Sequence, residues 1–409
     1  MIDTLQGSCP FALRASVLAC GLLFVGNASA GEGDVASLVL GQSFIRDSNL
    51  FRLSDGADTQ TLLGTSDRSD TISRTEAILK VDLPVSRQRF LVDVGLAHLR
   101  YDRFSFLSHD AYTSSGKWLW ELGNRFRGDV ILEHNKTLTG FTDFRRPVRN
   151  LGTYSRGSAS GYYWFHPEWG VGGAVGHVRS NNSSQVLVDA DNRNDIVEVG
   201  LQHKRPNGNE LGLRVRRTDS TYPNRQDVNG RLVDNSFVQD EVLVVGSWKV
   251  TAASTLSGYV GRSERSYDDV PERDFSTPTA KLSYDWIIDP RLTLNLSARR
   301  ELSSVDDVNP TSLITRALGA AVIWAATPKI NVEGRLERAK RDFRADVGVA
   351  LLGNAQREDK VRTATIAALY RALRGLQFSL SYTDERRDSN FADNQYKANV
   401  ILAGAQITF

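Results

Sequence analysis

Apolar and polar residues alternate along much of the chain. In residues 211–216, 292–299 and 376–383, Leu, Val, Phe and Tyr side chains occupy one parity, and Gly, Ser, Thr, Asn, Gln and Arg occupy the other. Successive side chains of a strand point to opposite faces, so each stretch predicts a strand with one apolar and one polar face. The alternation is unclear in residues 311–326 and 361–373, and we assign no faces there.

The breaks between these segments alternate between short and long. The short breaks contain Pro, Asn and Gly, as in residues 206–209 (PNGN), and these residues favour tight turns. The long breaks are polar and charged. Counting the segments predicts an all-β fold: a transmembrane antiparallel β-barrel of about 18 strands, with short periplasmic turns and longer extracellular loops. We expect no helix after the leader.

A soluble sandwich or propeller is the competing architecture. A propeller would repeat a shared motif of about 40 to 50 residues, and the sequence contains none that we can identify. A sandwich of so many long strands in one unit would be unusual. The sequence therefore favours a barrel.

The last stretch, residues 396–409 (YKANVILAGAQITF), predicts the closing strand of that barrel. Its ending resembles the G-x-x-hydrophobic-x-Phe ending of outer-membrane barrels, here Gly404, Ile407 and Phe409, which the resemblance implies is read by the insertion machinery. Val400 and Leu402 depart from the pattern because they make the second face apolar as well. A buried edge strand of a soluble protein is the alternative. We expect this strand to pair antiparallel with residues 36–46.

Residues 1–30 have the pattern of a cleaved signal peptide. Arg14 precedes an apolar run, residues 15–26, and Ala28 and Ala30 supply the small residues of a cleavage site. We therefore expect two segments: a leader over residues 1–30, and an outer-membrane β-barrel over residues 31–409 in a Gram-negative bacterium.

Both cysteines, Cys9 and Cys20, lie in this predicted leader. Cys20 also suggests a lipoprotein, but only five residues separate it from Arg14, too few for an apolar run. The mature chain is thus expected to contain no disulfide and no thiol nucleophile. With 50 basic and 48 acidic residues, the chain has no net field that would attract nucleic acid.

Catalytic chemistry is sparse. None of the six histidines lies in a metal-ligand spacing, so we predict no enzyme, no metal and no cofactor. His109 and Asp110 form a faint candidate for the Asp and His pair of outer-membrane proteases. A solvated pair in a loop is the alternative.

Arginines on the polar faces are the candidate lumen-lining residues. They are Arg214, Arg216, Arg299 and Arg335. Rows of lumen charges tune what passes through a channel. The alternative is a self-neutralising ladder of ion pairs, because Glu333 and Glu337 lie beside Arg335.

Residues 141–149 (FTDFRRPVR) form a basic and aromatic loop. Such a loop could bind a sugar or a lipopolysaccharide phosphate through arginine. The interpretation that we adopt is the simpler one, a plain solvated loop.

Four short motifs carry a family resemblance: residues 47–53 (DSNLFRL), 69–71 (SDT), 84–89 (PVSRQR) and 101–104 (YDRF). They resemble the EpsL family of exopolysaccharide biosynthesis operon proteins, outer-membrane β-barrels from polysaccharide loci tied to the exosortase/PEP-CTERM system. The resemblance is concentrated in residues 40–105. It implies a part in exopolysaccharide biosynthesis or export.

Three functions follow from these observations. The first is a channel for the secreted polysaccharide, with that polymer, outer-membrane lipid, the barrel-insertion machinery and periplasmic export components as partners. The second is a general or solute-specific porin, which would show a constricting loop folded inward. The third is a structural or anchoring barrel with a blocked lumen. We expect no nucleic-acid partner.

Overall fold

The computed structural model describes residues 35–228, 230–304, 312–344 and 356–409. Within them, 18 long strands form one closed antiparallel sheet, and two short strands form a separate hairpin. The predicted barrel, with about that number of strands, is confirmed. The predicted leader lies outside the described residues.

The barrel strands follow one another in chain order, each paired with the next. They are β1 (Ala36–Asp47), β2 (Asp70–Val85), β3 (Gln88–Tyr101), β4 (His109–Leu122), β5 (Phe126–Leu138), β6 (Leu151–Trp164), β7 (Trp169–Asn182), β8 (Asn192–Lys204), β9 (Glu210–Thr221), β12 (Phe237–Thr251), β13 (Ser254–Tyr267), β14 (Phe275–Asp289), β15 (Leu292–Ser304), β16 (Ser312–Thr327), β17 (Ile330–Arg344), β18 (Glu358–Leu373), β19 (Leu376–Ser389) and β20 (Tyr396–Thr408). The hairpin strands β10 (Gln226–Val228) and β11 (Arg231–Val233) lie in the loop between β9 and β12.

The barrel closes where the last strand meets the first. Val39 lies opposite Thr408, and Asp47 lies opposite Val400. Beyond the ladder, the Leu38 N–H donates to the Phe409 carbonyl at 3.1 Å, and the Phe409 N–H donates to the Leu38 carbonyl at 2.9 Å. The predicted pairing of the two ends is therefore present.

The three residues of the predicted ending have separate positions. Ile407 is on the outer face opposite Leu40, and the Phe409 side chain is 64% exposed at the chain end. Gly404 faces inward, where a Cβ would lie 3.1 Å from Ser379 Oγ and 3.2 Å from Ser43 Cβ. This close approach favours glycine. Recognition of this C-terminal ending by the barrel-insertion machinery stays a prediction.

The outer face is apolar in its middle. Exposed Leu and Val residues alternate with inward polar ones, and exposed tryptophans lie beside the short turns: Trp118, Trp169, Trp248, Trp286 and Trp324. Such a belt is typical of a membrane interface.

The register also assigns the faces that the sequence leaves open. Leu336 lies opposite Ala320 and Ala364 on the outer face, while Arg335 lies opposite Ala321 and Thr365 on the inner face.

A short helix, α1 (Thr59–Leu63), lies in the loop between β1 and β2, so the expectation of no helix after the leader is wrong. The Thr61 N–H donates to the Asp58 carboxylate at 3.1 Å, which caps the first turn. Gly64 ends the helix with a φ of +72°, a conformation that glycine adopts without strain. In the part of the chain described, no helix has the length and apolar character to cross a bilayer.

Deleting Phe409 tests the closure. The deletion removes both backbone hydrogen bonds to Leu38, and unpaired backbone groups in lipid cost several kcal/mol each. We expect outer-membrane assembly to fall severely, measured as the heat-modifiable folded band in membrane fractions. Phe391→Ala, which truncates an aromatic side chain at the opposite end of the barrel, should assemble like the wild type. Normal assembly of the deletion variant would contradict this role for the chain end.

Candidate functional site

The loop between β5 and β6, residues 139–150, folds into the barrel; we name it the inward loop. Its Phe141 and Phe144 side chains are buried. Its Asp143 contacts Arg387 of β19, although five strands, β4, β3, β2, β1 and β20, separate β5 from β19 around the wall. Arg387 is itself buried between the exposed Arg386 and Asp388, so it points to the inside. The prediction of a plain solvated loop is therefore wrong.

Asp143 is held by two wall arginines. Arg341 of β17 donates from Nη1 to Oδ1 at 2.8 Å and from Nη2 to Oδ2 at 3.0 Å. Arg387 donates from Nη2 to Oδ1 at 3.0 Å, and its Nη1 donates to the Thr142 carbonyl at 2.8 Å. A two-pronged arginine contact fixes both distance and orientation. These bonds tie the inward loop to the opposite wall.

The charge of Asp143 is stabilised by this environment. Burial by itself raises the pKa of the carboxyl group, but the positive charges of Arg341 and Arg387 outweigh it and hold the pKa far below its usual range. The carboxylate is thus ionised at any pH the outer membrane normally meets.

The ion pairs continue along the wall from Arg387. Its guanidinium lies 3.7 Å from the Asp359 carboxylate and 5.1 Å from the centre of the Tyr396 ring. The Tyr396 hydroxyl donates to Glu385 at 2.7 Å. Each buried charge in this set has an opposite charge or a hydrogen-bond partner, as buried charges require.

Arg52 joins a second loop to the same network. It belongs to residues 48–69, between β1 and β2, which we name the first loop. Its guanidinium lies 3.3 Å from Glu385 and 2.9 Å from Asp47, and all three side chains are nearly inaccessible. The first loop and the inward loop are therefore anchored to one cluster of charges at the extracellular end.

Aromatic packing joins the two loops directly. The Phe51 ring is fully buried and meets Phe104 and Phe141 edge to face, with ring centres 4.8 and 4.6 Å apart. Val400 belongs to the same cluster, and Leu402 packs against it. This explains why the closing strand is apolar on both faces: one face meets lipid and the other meets the loops.

The motifs that resemble EpsL also have structural roles here. Asp70 accepts hydrogen bonds from the backbone N–H groups of Arg103 at 2.9 Å and Phe104 at 3.0 Å. Asn49 donates to the Leu53 carbonyl at 2.8 Å and accepts from the Leu53 N–H at 3.0 Å. These residues shape the first loop and place Phe51 and Phe104 in contact.

All four predicted lumen arginines face the inside, and each is paired with a carboxylate. Arg216 and Arg214 lie 2.7 and 3.6 Å from Glu198. Their exposed outward neighbours on β9 are Leu213 and Val215.

The other two arginines have similar partners. Arg299 lies 2.8 Å from Glu337, and Arg335 lies 2.7 Å from Glu333. Arg335 is the more accessible, with 45% of its side chain exposed against 17% for Arg299. The pairing favours the self-neutralising ladder. An effect of these arginines on passage stays a prediction.

His109 and Asp110 do not form the protease-like pair considered from the sequence. His109 is buried inside, with Nδ1 at 2.8 Å from the Leu107 carbonyl. Asp110 is on the outer face, 2.7 Å from His98. Consecutive strand residues face opposite ways, so the two cannot act on one substrate. Among the residues that the structure describes, no group of three or more His, Cys, Asp or Glu could hold a metal ion.

Asp143, Arg341 and Arg387 were not among the residues singled out from the sequence. One signal was present: Phe141 and Phe144 flank an aspartate in an otherwise polar, basic loop. Two large apolar side chains in a charged loop indicate that one side of it is buried. The partners on β17 and β19 have no comparable signal.

Comparison with known proteins agrees with this geometry. A family model described as "Putative beta-barrel porin 2" matches residues 211–409. The crystal structure of OccK9 (OpdG) from Pseudomonas aeruginosa superposes with a TM-score of 0.50 at 12% identity, covering 91% of this chain and 98% of that chain. The chain has the β-barrel fold of outer-membrane porins.

Two further porins superpose over a similar extent. OccAB4 from Acinetobacter baumannii and a BenF-like porin from Pseudomonas fluorescens Pf-5 each give a TM-score of 0.49, at 9% and 11% identity. Both matches cover 92% of this chain and 99% of the other. No curated protein sequence matches the chain. The family description names a porin and not exopolysaccharide, so the resemblance to EpsL stays a prediction.

Replacing Asp143 tests the attachment of the inward loop. Asp143→Asn removes the carboxylate that Arg341 and Arg387 share and leaves Arg387 with Asp359 alone, and losing one partner of a largely buried ion pair costs about 3 kcal/mol. We expect the free energy of unfolding to fall by about that amount in urea titrations, and single-channel conductance in planar bilayers to rise. Asp55→Asn, at a carboxylate that is 80% exposed, should change neither. Unchanged stability and conductance in Asp143→Asn would show that the loop is held by other contacts.

The lowered pKa of Asp143 predicts how the loop responds to acid. A carboxylate with a lowered folded-state pKa contributes its full stability above its ordinary pKa, and that stability is lost as pH falls from there through the lowered value. In the folded channel the carboxylate itself stays ionised until the lowered value is reached. The wild-type conductance should therefore stay constant down to about pH 4, where an ordinary aspartate is half protonated, and change only well below it. A conductance step centred near pH 4 would contradict the ion-pair assignment.

Proposed function

We propose that the protein is a solute-selective porin that passes small hydrophilic solutes and prefers anions. The observation that carries this proposal is the contact of Asp143 with Arg341 and Arg387, which fixes the inward loop across the lumen. A wide barrel leaves an aqueous channel unless loops fill it. A loop anchored in that channel narrows it and brings its own side chains to passing solutes.

The charges on the inward loop support the anion preference. Residues 139–150 contain three arginines and one aspartate, and the charge of Asp143 is already neutralised by the wall. Arg145 reaches the Asp393 carbonyl in the turn before β20. Arg146 and Arg149 are exposed, and neither forms an ion pair with a carboxylate of the described residues. The loop therefore carries an excess of exposed positive charge.

The paired wall contributes little net field beside this loop. Glu198 is within ion-pair distance of both Arg214 and Arg216, and Arg299 is paired with Glu337. Adjacent opposite charges largely cancel at the distances at which a solute passes. Selectivity should accordingly depend on the inward loop more than on the wall.

Anchored loops fit small solutes better than an extended polymer. A moving glycan needs a continuous path with many weak contacts. Here the first loop and the inward loop are each held by an ion pair with β19, and they pack together in the Phe51, Phe104 and Phe141 cluster. The polysaccharide-channel hypothesis is supported by the sequence resemblance alone. A fully blocked anchoring barrel is not favoured by any contact described above.

Reversal-potential measurements across a salt gradient test the proposal. The wild-type channel should favour chloride over potassium. Arg146→Glu combined with Arg149→Glu should lower the anion-to-cation permeability ratio roughly tenfold, since even one unit charge at 4 Å contributes about 1 kcal/mol in water. Arg179→Glu with Arg193→Glu makes the same charge change on the outer face and should leave the ratio unaltered.

Two results would contradict the proposal. A wild-type barrel that conducts no ions would exclude a porin. Equal permeability changes in the loop variant and in the outer-face variant would show that the inward loop does not set selectivity.

A further inference from the structure

Four basic side chains stand side by side on the outer face of neighbouring strands. The register places Arg338 of β17 opposite Arg362 of β18, Arg362 opposite Arg386 of β19, and Arg386 opposite Lys397 of β20. All four are exposed. We name this set the cationic row. With strands about 4.8 Å apart, it spans about 14 Å.

Such a row is unfavourable without a counter-charge. Like charges directly opposite one another destabilise a strand pair. Arg386 lies 3.0 Å from Asp384 on its own strand. In the described ranges, no carboxylate forms an ion pair with Arg338, Arg362 or Lys397. Three cations of the row are thus left facing outward.

A second line of cations runs beside the cationic row. Arg316 lies opposite Lys340, and Lys340 lies opposite Lys360. Two carboxylates form ion pairs with these cations: Glu358 is 2.6 Å from Lys340, and Asp342 is 3.6 Å from Arg316. Glu358 is also 3.9 Å from Lys360, and Asp342 is 3.7 Å from Lys340. The two lines together keep an excess of positive charge on this side of the barrel.

Exposed apolar side chains lie below the row on the same strands. Leu336, Ile366, Leu380 and Ile401 are between 47% and 62% exposed on the outer face. They are nearer the short turns than the cations are, so they lie deeper in the membrane when those turns are periplasmic. The surface is therefore cationic toward the outside and apolar toward the bilayer centre.

We propose that this surface binds a phosphorylated glycolipid of the outer leaflet, the lipid A part of lipopolysaccharide. Its phosphate oxygens would lie among Arg338, Arg362 and Lys397, where each arginine can donate a forked pair of hydrogen bonds. Its acyl chains would cover Leu336 and Ile366. The bound phosphates relieve the repulsion between the opposed cations. The site is separate from the channel, so this proposal does not depend on which solute passes through the lumen.

Binding of diphosphoryl lipid A to the purified full-length barrel in detergent, followed by thermophoresis, tests the site. Arg338→Gln, Arg362→Gln and Lys397→Gln together should weaken binding roughly 100-fold, the scale expected for three interfacial cations. The matched control is Arg100→Gln, Lys136→Gln and Arg262→Gln, which removes three outer-face cations that have no cation directly opposite. The control should bind within about threefold of the wild type.

Heat-modifiable mobility in gels checks that each variant is folded. If the triple variant does not fold, Arg362→Gln alone replaces it, and we expect this single change to weaken binding about fivefold. Dephosphorylated lipid A should bind the wild type as weakly as diphosphoryl lipid A binds the row variant. Equal losses in the row and control variants would overturn the proposal. So would displacement of lipid A by inorganic phosphate at comparable concentration, because the site would then recognise free phosphate and not the lipid.

Discussion

Backbone hydrogen bonding in lipid is the constraint on which the rest of this structure depends. The hydrocarbon core offers no water to an unpaired N–H or C=O group, so a sheet can cross it only when its edges meet. Here the edges meet through the ladder between β1 and β20 and the two bonds that join Leu38 to Phe409. Closure fixes which side chains face lipid and which face the lumen, and each site described above follows from that division.

Inside the barrel, the charged side chains of the wall form ion pairs, whereas the inward loop carries an excess of positive charge. Along the wall, arginines and glutamates pair across neighbouring strands, as Arg216 does with Glu198. At the extracellular end, one aspartate is shared between arginines of two strands, and it pins a loop whose other charges are positive. Under the porin proposal, the paired wall charges largely cancel, and the positive charge of this loop sets the selectivity.

Outside the barrel, the same division produces two zones. Leu, Val and Trp side chains cover the middle and the turn end, where lipid and its interface lie. Toward the loops the strands extend beyond the apolar zone, and cations such as Arg338 and Arg362 face each other without carboxylate partners. Such opposed cations destabilise the strand pairs, and an anion lying against them would remove that cost. In the proposal made above, a phosphorylated lipid headgroup supplies that anion.

The sequence by itself determined the barrel, its approximate strand number and the faces of the clearly alternating strands, because alternation and turn chemistry are local properties. It placed Arg214, Arg216, Arg299 and Arg335 on inner faces for the same reason. Only the tertiary structure decided which side chains meet. Asp143 reaches Arg341 and Arg387 across the lumen, and His109 turns away from Asp110, because a barrel joins residues that are distant in sequence and separates neighbours. A loop read as solvated was therefore the one that folds inward.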